Sequence, residues 1–230
     1  MKINGRPYDF PITGDFDPMS TALIIIDMQR DFCDPLGYMA ARGADVKAAQ
    51  TIVPKIQEVR KHASKLGMKV IHTREGHRAD LSDLPESKRL KTALAGAEIG
   101  SHGPLGRLLI RGELGWQFIS ELTPLDGEII VDKPGTGAFH GTDLHHILVS
   151  SHVTSLVLVG VTTGVCVTTT AREASDRGYN VLVLSDCCAE PNPLEHEMAV
   201  KLLQIEGGYV ATTANADAFL DIGHISSASE

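Results

Sequence analysis

A cysteine, an aspartate and a lysine in this chain of 230 residues each follow an apolar run. In a parallel sheet, that is where side chains meet a ligand. Cys166 lies in Val161-Thr-Thr-Gly-Val-Cys-Val167, a turn that follows Leu156 to Gly160 and opens a helical segment. A thiol at a helix N-terminus faces the positive end of the macrodipole, which is expected to lower its pKa and favour the nucleophilic thiolate. Asp27 follows Ala22 to Ile26, and Lys133 follows Glu128 to Val131. A carboxylate can take the thiol proton, an ammonium can stabilise developing negative charge, and a thiolate can attack a carbonyl. Distance in sequence does not keep the three apart, because neighbouring strand ends converge on one crevice. Cys33 lies near Asp27 in sequence but lacks the helix N-terminus.

The elements that must position these residues alternate. Continuous apolar runs bounded by turn residues predict buried parallel strands at Ala22 to Ile26, Lys69 to His72, Glu128 to Val131, Ser155 to Val159, Asn180 to Leu184 and Gly208 to Ala211. Between them, Ile52, Ile56, Val59, Ala63 and Leu66 step by four and three, one apolar helix face, with Gly67 as its stop. Further helices are predicted near Asp143 to Ser151, Val165 to Arg177 and Leu194 to Glu206. The pattern predicts an α/β protein with a three-layer, Rossmann-like fold. Its six-stranded sheet is doubly wound and mostly parallel, with helices on both faces. A hydrophobic content of 43% over this length suits one domain spanning 1–230, with 1–20 as an N-terminal extension. Residues 73–114 lack a strand pattern and are expected to cover the active site, as loops at the ends of parallel strands do.

Composition narrows the classes further. A net charge of −8, without a basic stripe, argues against nucleic-acid binding. No stretch has the roughly 18 to 20 consecutive apolar residues needed to span a bilayer, and the first residues lack an apolar signal region, so a cytoplasmic location is expected. Cysteines at 33, 166, 187 and 188 form neither a disulfide framework nor a paired metal spacing. Cys187 and Cys188 are expected to pack in the core.

Three segments carry a family resemblance. Ile24-Ile-Ile-Asp-Met-Gln-Arg-Asp-Phe32, Val131-Asp-Lys-Pro-Gly-Thr-Gly-Ala-Phe139 and Gly160-Val-Thr-Thr-Gly-Val-Cys-Val167 resemble the isochorismatase-like cysteine hydrolases. The likeness runs from about residue 20 to 220. It implies a triad of Asp27 as proton acceptor, Lys133 as electrostatic partner and Cys166 as nucleophile. It also implies a cis peptide before Thr162, turning the N–H groups of Thr162 and Cys166 toward an oxyanion, with Val161 beside the substrate. A homotetramer is implied as well.

Within that family, His72-Thr-Arg-Glu-Gly-His-Arg78, Asp80-Leu-Ser-Asp-Leu-Pro85, Arg111-Gly-Glu113, Thr170-Ala-Arg-Glu-Ala-Ser-Asp-Arg-Gly-Tyr179 and Asp186-Cys-Cys188 resemble biuret amidohydrolases and triuret hydrolases. The implied reaction cleaves a small ureide through a thioester, biuret giving allophanate and ammonia, or triuret giving carboxybiuret and ammonia. Glu206, in Ile205-Glu-Gly-Gly208, stands where biuret hydrolases resemble Gln; a carboxylate there only accepts hydrogen bonds. Phe32 is a candidate wall over a flat ureide, alternatively a core residue. Arg74 is a candidate ligand for a substrate carbonyl, alternatively an ion-pair partner of Glu75. His72, Glu75 and His77 offer metal-ligand types without the Asp-x-His spacing of nicotinamidases, so neither metal nor other cofactor is expected. The alternatives are a ureidoacrylate or N-carbamoyl amidohydrolase, then a nicotinamidase. Outside enzymes, the alternative is a catalytically silent member that binds a small ligand or partner; such a protein would have no chemical need to gather Asp27, Lys133 and Cys166.

Overall fold

A computed structural model describes residues 1–223; residues 224–230 of the expected domain lie outside them. Its strands are β1 (Thr21–Ile26), β2 (Lys69–Glu75), β3 (His102–Gly103), β4 (Gly106–Arg107), β5 (Ile129–Lys133), β6 (Ser155–Val161), β7 (Asn180–Ala189) and β8 (Thr212–Ala214). Six of them form one sheet in the order β5-β2-β1-β6-β7-β8, with every pairing parallel, while β3 and β4 form a short antiparallel hairpin. This is the expected doubly wound α/β sheet. Its order reverses between β1 and β6, where a ligand crevice opens at the carboxyl ends of the strands.

Alternation along the central strands feeds two cores. Leu23 and Ile25 of β1 join Val157, Val159 and Val161 of β6 on one face, against the helices Val53–Lys65 and Ala216–Leu220. Ala22, Ile24 and Ile26 join Leu156 and Leu158 on the other, against Leu144–Ser150 and Thr168–Asp176. Both strands are buried along their whole length, which is why they read as unbroken apolar runs. No helix among the described residues is long and apolar enough to cross a membrane.

The structure corrects several boundaries. β2 runs three residues past His72, so Thr73, Arg74 and Glu75 are strand residues, and the irregular segment begins at Gly76. Charge hid this extension. Arg74 pairs in register with Asp132, and Glu75 with Lys133, so opposite charges on adjacent strands support each other where apolar residues would otherwise stand. The last strand lies at Thr212–Ala214 rather than 208–211. The expected helix from Leu194 to Glu206 ends at Leu203 with Gln204 as its cap, and the chain kinks beyond it, where Glu206, Gly207 and Gly208 all take positive φ.

Candidate active site

Asp27, at the end of β1, is fully buried and has a left-handed backbone, φ 51°. Its Oδ1 accepts the Thr73 hydroxyl at 2.6 Å. Gly160 of β6 pairs in register with Ile26, and a Cβ there would overlap the Ile26 carbonyl oxygen. That glycine allows β6 to close on β1 next to Asp27. Beyond β6, the peptide Val161–Thr162 is cis, and Thr163–Val167 forms one π-helical turn before the helix Thr168–Asp176. Single π-turns inside helices occur often at functional sites. Glu190 Oε2 accepts the Gly164 N–H at 2.7 Å, and the Thr163 hydroxyl lies 2.8 Å from His196 Nδ1, so both sides of the turn are anchored.

Lys133, the last residue of β5, is fully buried. Its Nζ lies 2.8 Å from Asp27 Oδ2 and 3.2 Å from Glu75 Oε2, and it donates to the carbonyls of Gly135 at 2.9 Å and Thr136 at 3.0 Å. Cys166 Sγ lies 3.5 Å from Glu75 Oε2. One oxygen of Asp27, one of Glu75 and the Cys166 sulfur lie within 4.8 Å of one another. The structure therefore gathers Asp27, Lys133 and Cys166, and adds Glu75 as a fourth member. From the sequence, Glu75 is a candidate only as a partner for Arg74 or a metal ligand. The signal available was the charge match of Arg74-Glu75 with Asp132-Lys133 on the neighbouring strand.

Electrostatics separates the two carboxylates. Burial raises the pKa of Asp27, with Lys133 opposing and the Glu75 charge adding to the rise. Burial would raise Glu75 too, but Lys133 and Lys88 outweigh it and hold its carboxyl down at about 2. Asp27 is thus the better proton acceptor, and Glu75 stays ionised through the working range. Burial pushes the Cys166 thiol well above its ordinary value despite Lys133, with both carboxylates adding to the shift. This reverses the expectation from the helix dipole: Cys166 sits inside the π-turn, 3% exposed, and rests as a thiol. Cys33 is likewise held up, to about 12, by burial, and it does not lie within the Asp27–Glu75–Cys166 group.

The cluster opens into a cavity of about 490 Å³. Phe32, Tyr38, Met39, Thr136, Thr162 and Glu190 line it, together with Lys88, Lys91, Thr92, Ile99 and Leu109 from the segment after β2. Val161 sits with Phe32 and Thr162 around a small recess behind it. Arg74 is not part of this wall. It lies on the opposite face of β2 from Thr73 and Glu75, paired with Asp132 at 2.8 Å and stacked 3.6 Å from the Trp116 ring centre. Glu206 is also absent from the wall; its positive φ and the glycines after it leave the side chain on the surface. His72 bonds Glu128 at 2.9 Å, and His77 lies 3.4 Å from Asp83, so they do not converge with Glu75 on a metal site. Among the described residues, the group that could hold a metal ion is Asp27, Glu75 and Cys166, and the Lys133 ammonium already supplies a cation to its carboxylates.

Residues 21–215 match the isochorismatase domain. The chain belongs to the isochorismatase family. It is 32% identical over 220 residues to the ureidoacrylate amidohydrolase RutB of Caulobacter segnis, covering 91% of this chain and 88% of that one. A cysteine hydrolase from Pseudomonas syringae superposes with a TM-score of 0.76 at 27% identity, covering 89% of this chain and 92% of the other. An isochorismatase family protein from Desulfovibrio vulgaris gives 0.73 at 30% identity, covering 88% and 97%. The isochorismatase-family chain is a hydrolytic enzyme.

Proposed function

We propose that this isochorismatase-family amidohydrolase cleaves a C–N bond of a small neutral ureide, biuret or triuret, through a thioester on Cys166. The observation that carries the reading is Glu75: an ionised, acceptor-only carboxylate 3.5 Å from the nucleophilic sulfur. A substrate seated there must present N–H groups beside its scissile carbonyl, as a ureide does. The wall also carries Arg42, Lys88 and Lys91 against Glu75, Glu190 and Glu195, three charges of each sign, so it does not select an anion.

The steps follow from the cluster. As Cys166 Sγ attacks the carbonyl carbon, its proton passes to Asp27, whose raised pKa narrows the gap to the thiol. In this reading the N–H groups of Thr162 and Cys166 serve the developing oxyanion, while those of Gly164, Val165 and Val167 are engaged by Glu190 and the Thr162 carbonyl. Lys133 stays protonated, since its surrounding anions outweigh burial, and offsets the charge formed. Asp27 then returns the proton to the departing nitrogen, the C–N bond breaks and ammonia leaves. Water attacks the thioester, giving its proton to Asp27; the carboxylated product departs and the thiol is restored. From biuret the products are allophanate and ammonia.

The relatives named ureidoacrylate amidohydrolases favour a second reading, in which Arg42 and Lys91, both exposed on the wall, hold a substrate carboxylate. Ammonia release from biuret, triuret, ureidoacrylate and nicotinamide, measured side by side, decides between them. The expected result is a kcat/KM for biuret or triuret at least about tenfold above ureidoacrylate, because a charge-balanced wall gives a carboxylate no net attraction to offset its desolvation. The reverse order overturns the neutral-ureide reading, and loss of nicotinamide turnover on chelation would support a nicotinamidase.

A homo-oligomer, with the tetramer as its expected form, belongs to the same proposal. Leu194, Met198 and Leu202 step by four along the helix Pro193–Leu203 and continue into Ile205 and Tyr209, all exposed, beside exposed Val165. A second copy of the chain would cover this apolar stripe. Sedimentation velocity is expected to show a species larger than the 24.7 kDa chain, and Met198→Glu to shift it toward monomer; a wild-type monomer refutes it.

A further inference from the structure

Lys88 lies outside the three residues assigned to the chemistry, on the helix Glu86–Leu94 of the segment over the pocket. Its Nζ donates to Glu75 Oε1 at 2.7 Å and to the Pro134 carbonyl at 2.8 Å, tying that helix to the ends of β2 and β5. Its side chain is 22% exposed, whereas Glu75 and Lys133 are buried. Around Lys133 the donors are fully subscribed. An ammonium has three N–H groups, and four oxygens surround this one, Glu75 the farthest at 3.2 Å.

We propose that Lys88 is a positioning residue of the reaction, neutralising Glu75 from the pocket side so that Lys133 serves Asp27 and the sulfur. The inference rests on the reading of Cys166 as nucleophile. With Lys88 in place, the buried cluster holds two ammonium ions and two carboxylates, and moving the thiol proton to Asp27 leaves that balance intact. Without Lys88, the cluster carries one excess negative charge while a thiolate forms beside a carboxylate left with only the 3.2 Å contact of Lys133, which disfavours the thiolate. Other groups facing the pair are Tyr38 of the short helix Tyr38–Ala41, His77 after β2 and Lys91 one turn along from Lys88; they remain unchanged in the comparison.

The test reads the thiol directly. Iodoacetamide alkylation of Cys166 is followed across pH by peptide mass spectrometry, which separates it from the three other cysteines. Lys88→Met is expected to move the alkylation midpoint upward by about one pH unit and to slow labelling at pH 8 roughly tenfold. Lys88→Arg restores most of the rate. The double variant Glu75→Gln/Lys88→Met returns the midpoint toward wild type, because both charges leave together. A Lys88 that merely holds the helix would instead give a lower melting temperature and an unmoved midpoint in all variants, which overturns the proposal. Absence of Cys166 labelling in the wild type at every pH removes the nucleophile reading and this proposal with it. An unmoved midpoint in Lys88→Met with normal wild-type labelling removes this proposal alone.

Discussion

Cys166→Ser is expected to lower kcat for ammonia release by about 10⁴-fold or more, the scale on which removal of a covalent nucleophile acts. The serine variant keeps the size of the group and its place in the π-turn, so folding and ureide binding should persist. What fails is proton transfer. Asp27 sits high enough among carboxylates to accept from a thiol, but an alcohol is far less acidic and its oxygen is the weaker nucleophile. Two measurements check this: ammonia release under saturating substrate, and calorimetric binding of the same ureide. Turnover within about tenfold of wild type would show that the sulfur is not the attacking atom, and would redirect the search to a water activated by Asp27. The wild-type pH profile offers a companion check. Activity should fall on the acid side as Asp27 takes up a proton, above the ordinary carboxylate range, whereas Glu75 remains ionised down to about 2 and contributes no limb there.

Much of this site is legible in the sequence, for a simple reason. Buried parallel strands announce themselves as apolar runs, and the chain beyond each run meets the crevice; Asp27 directly follows one, and Cys166 lies in the turn after another. Lys133 was found too, although it is the last strand residue rather than the first beyond it. Glu75 was missed because the apolar run gives out at His72, before Thr73, Arg74 and Glu75. β2 continues only because Asp132 and Lys133 on the adjacent strand answer Arg74 and Glu75 in register. Lys88 left no trace: its helix has no buried residue, and only the fold brings it to Glu75. The pKa of Cys166 was misjudged because a helix start can be read from sequence, whereas complete desolvation beside two carboxylates cannot. Glu206 shows the limit of resemblance, since a residue type at a matching position says nothing of a backbone turned by two following glycines.

Lys133→Met is expected to cost both activity and stability, and the way the stability cost depends on pH identifies its cause. Lys133 is fully buried among Asp27, Glu75 and two carbonyls, and methionine fills its volume without its charge. Removing one partner of a buried ion pair costs about 3 to 5 kcal/mol, which for a chain of this size lowers the melting temperature by roughly 10 °C at neutral pH. The sign of the pH effect follows from Asp27. Its folded pKa already lies above the ordinary aspartate value, and losing Lys133, which opposes that rise, lifts it further. A raised folded pKa gives a stabilising contribution that is complete below the unfolded value and is lost as pH rises through the folded one. The gap in melting temperature between variant and wild type should therefore be widest near pH 8 and shrink toward pH 4, as Asp27 becomes protonated and no longer needs a cation. Over the same range kcat should be lower by on the order of 10³-fold, because the oxyanion and the sulfur both lose their buried positive charge. A gap that stays constant with pH would mean that methionine merely packs badly, and that Asp27 and Lys133 are not electrostatically bound to one another in the folded protein.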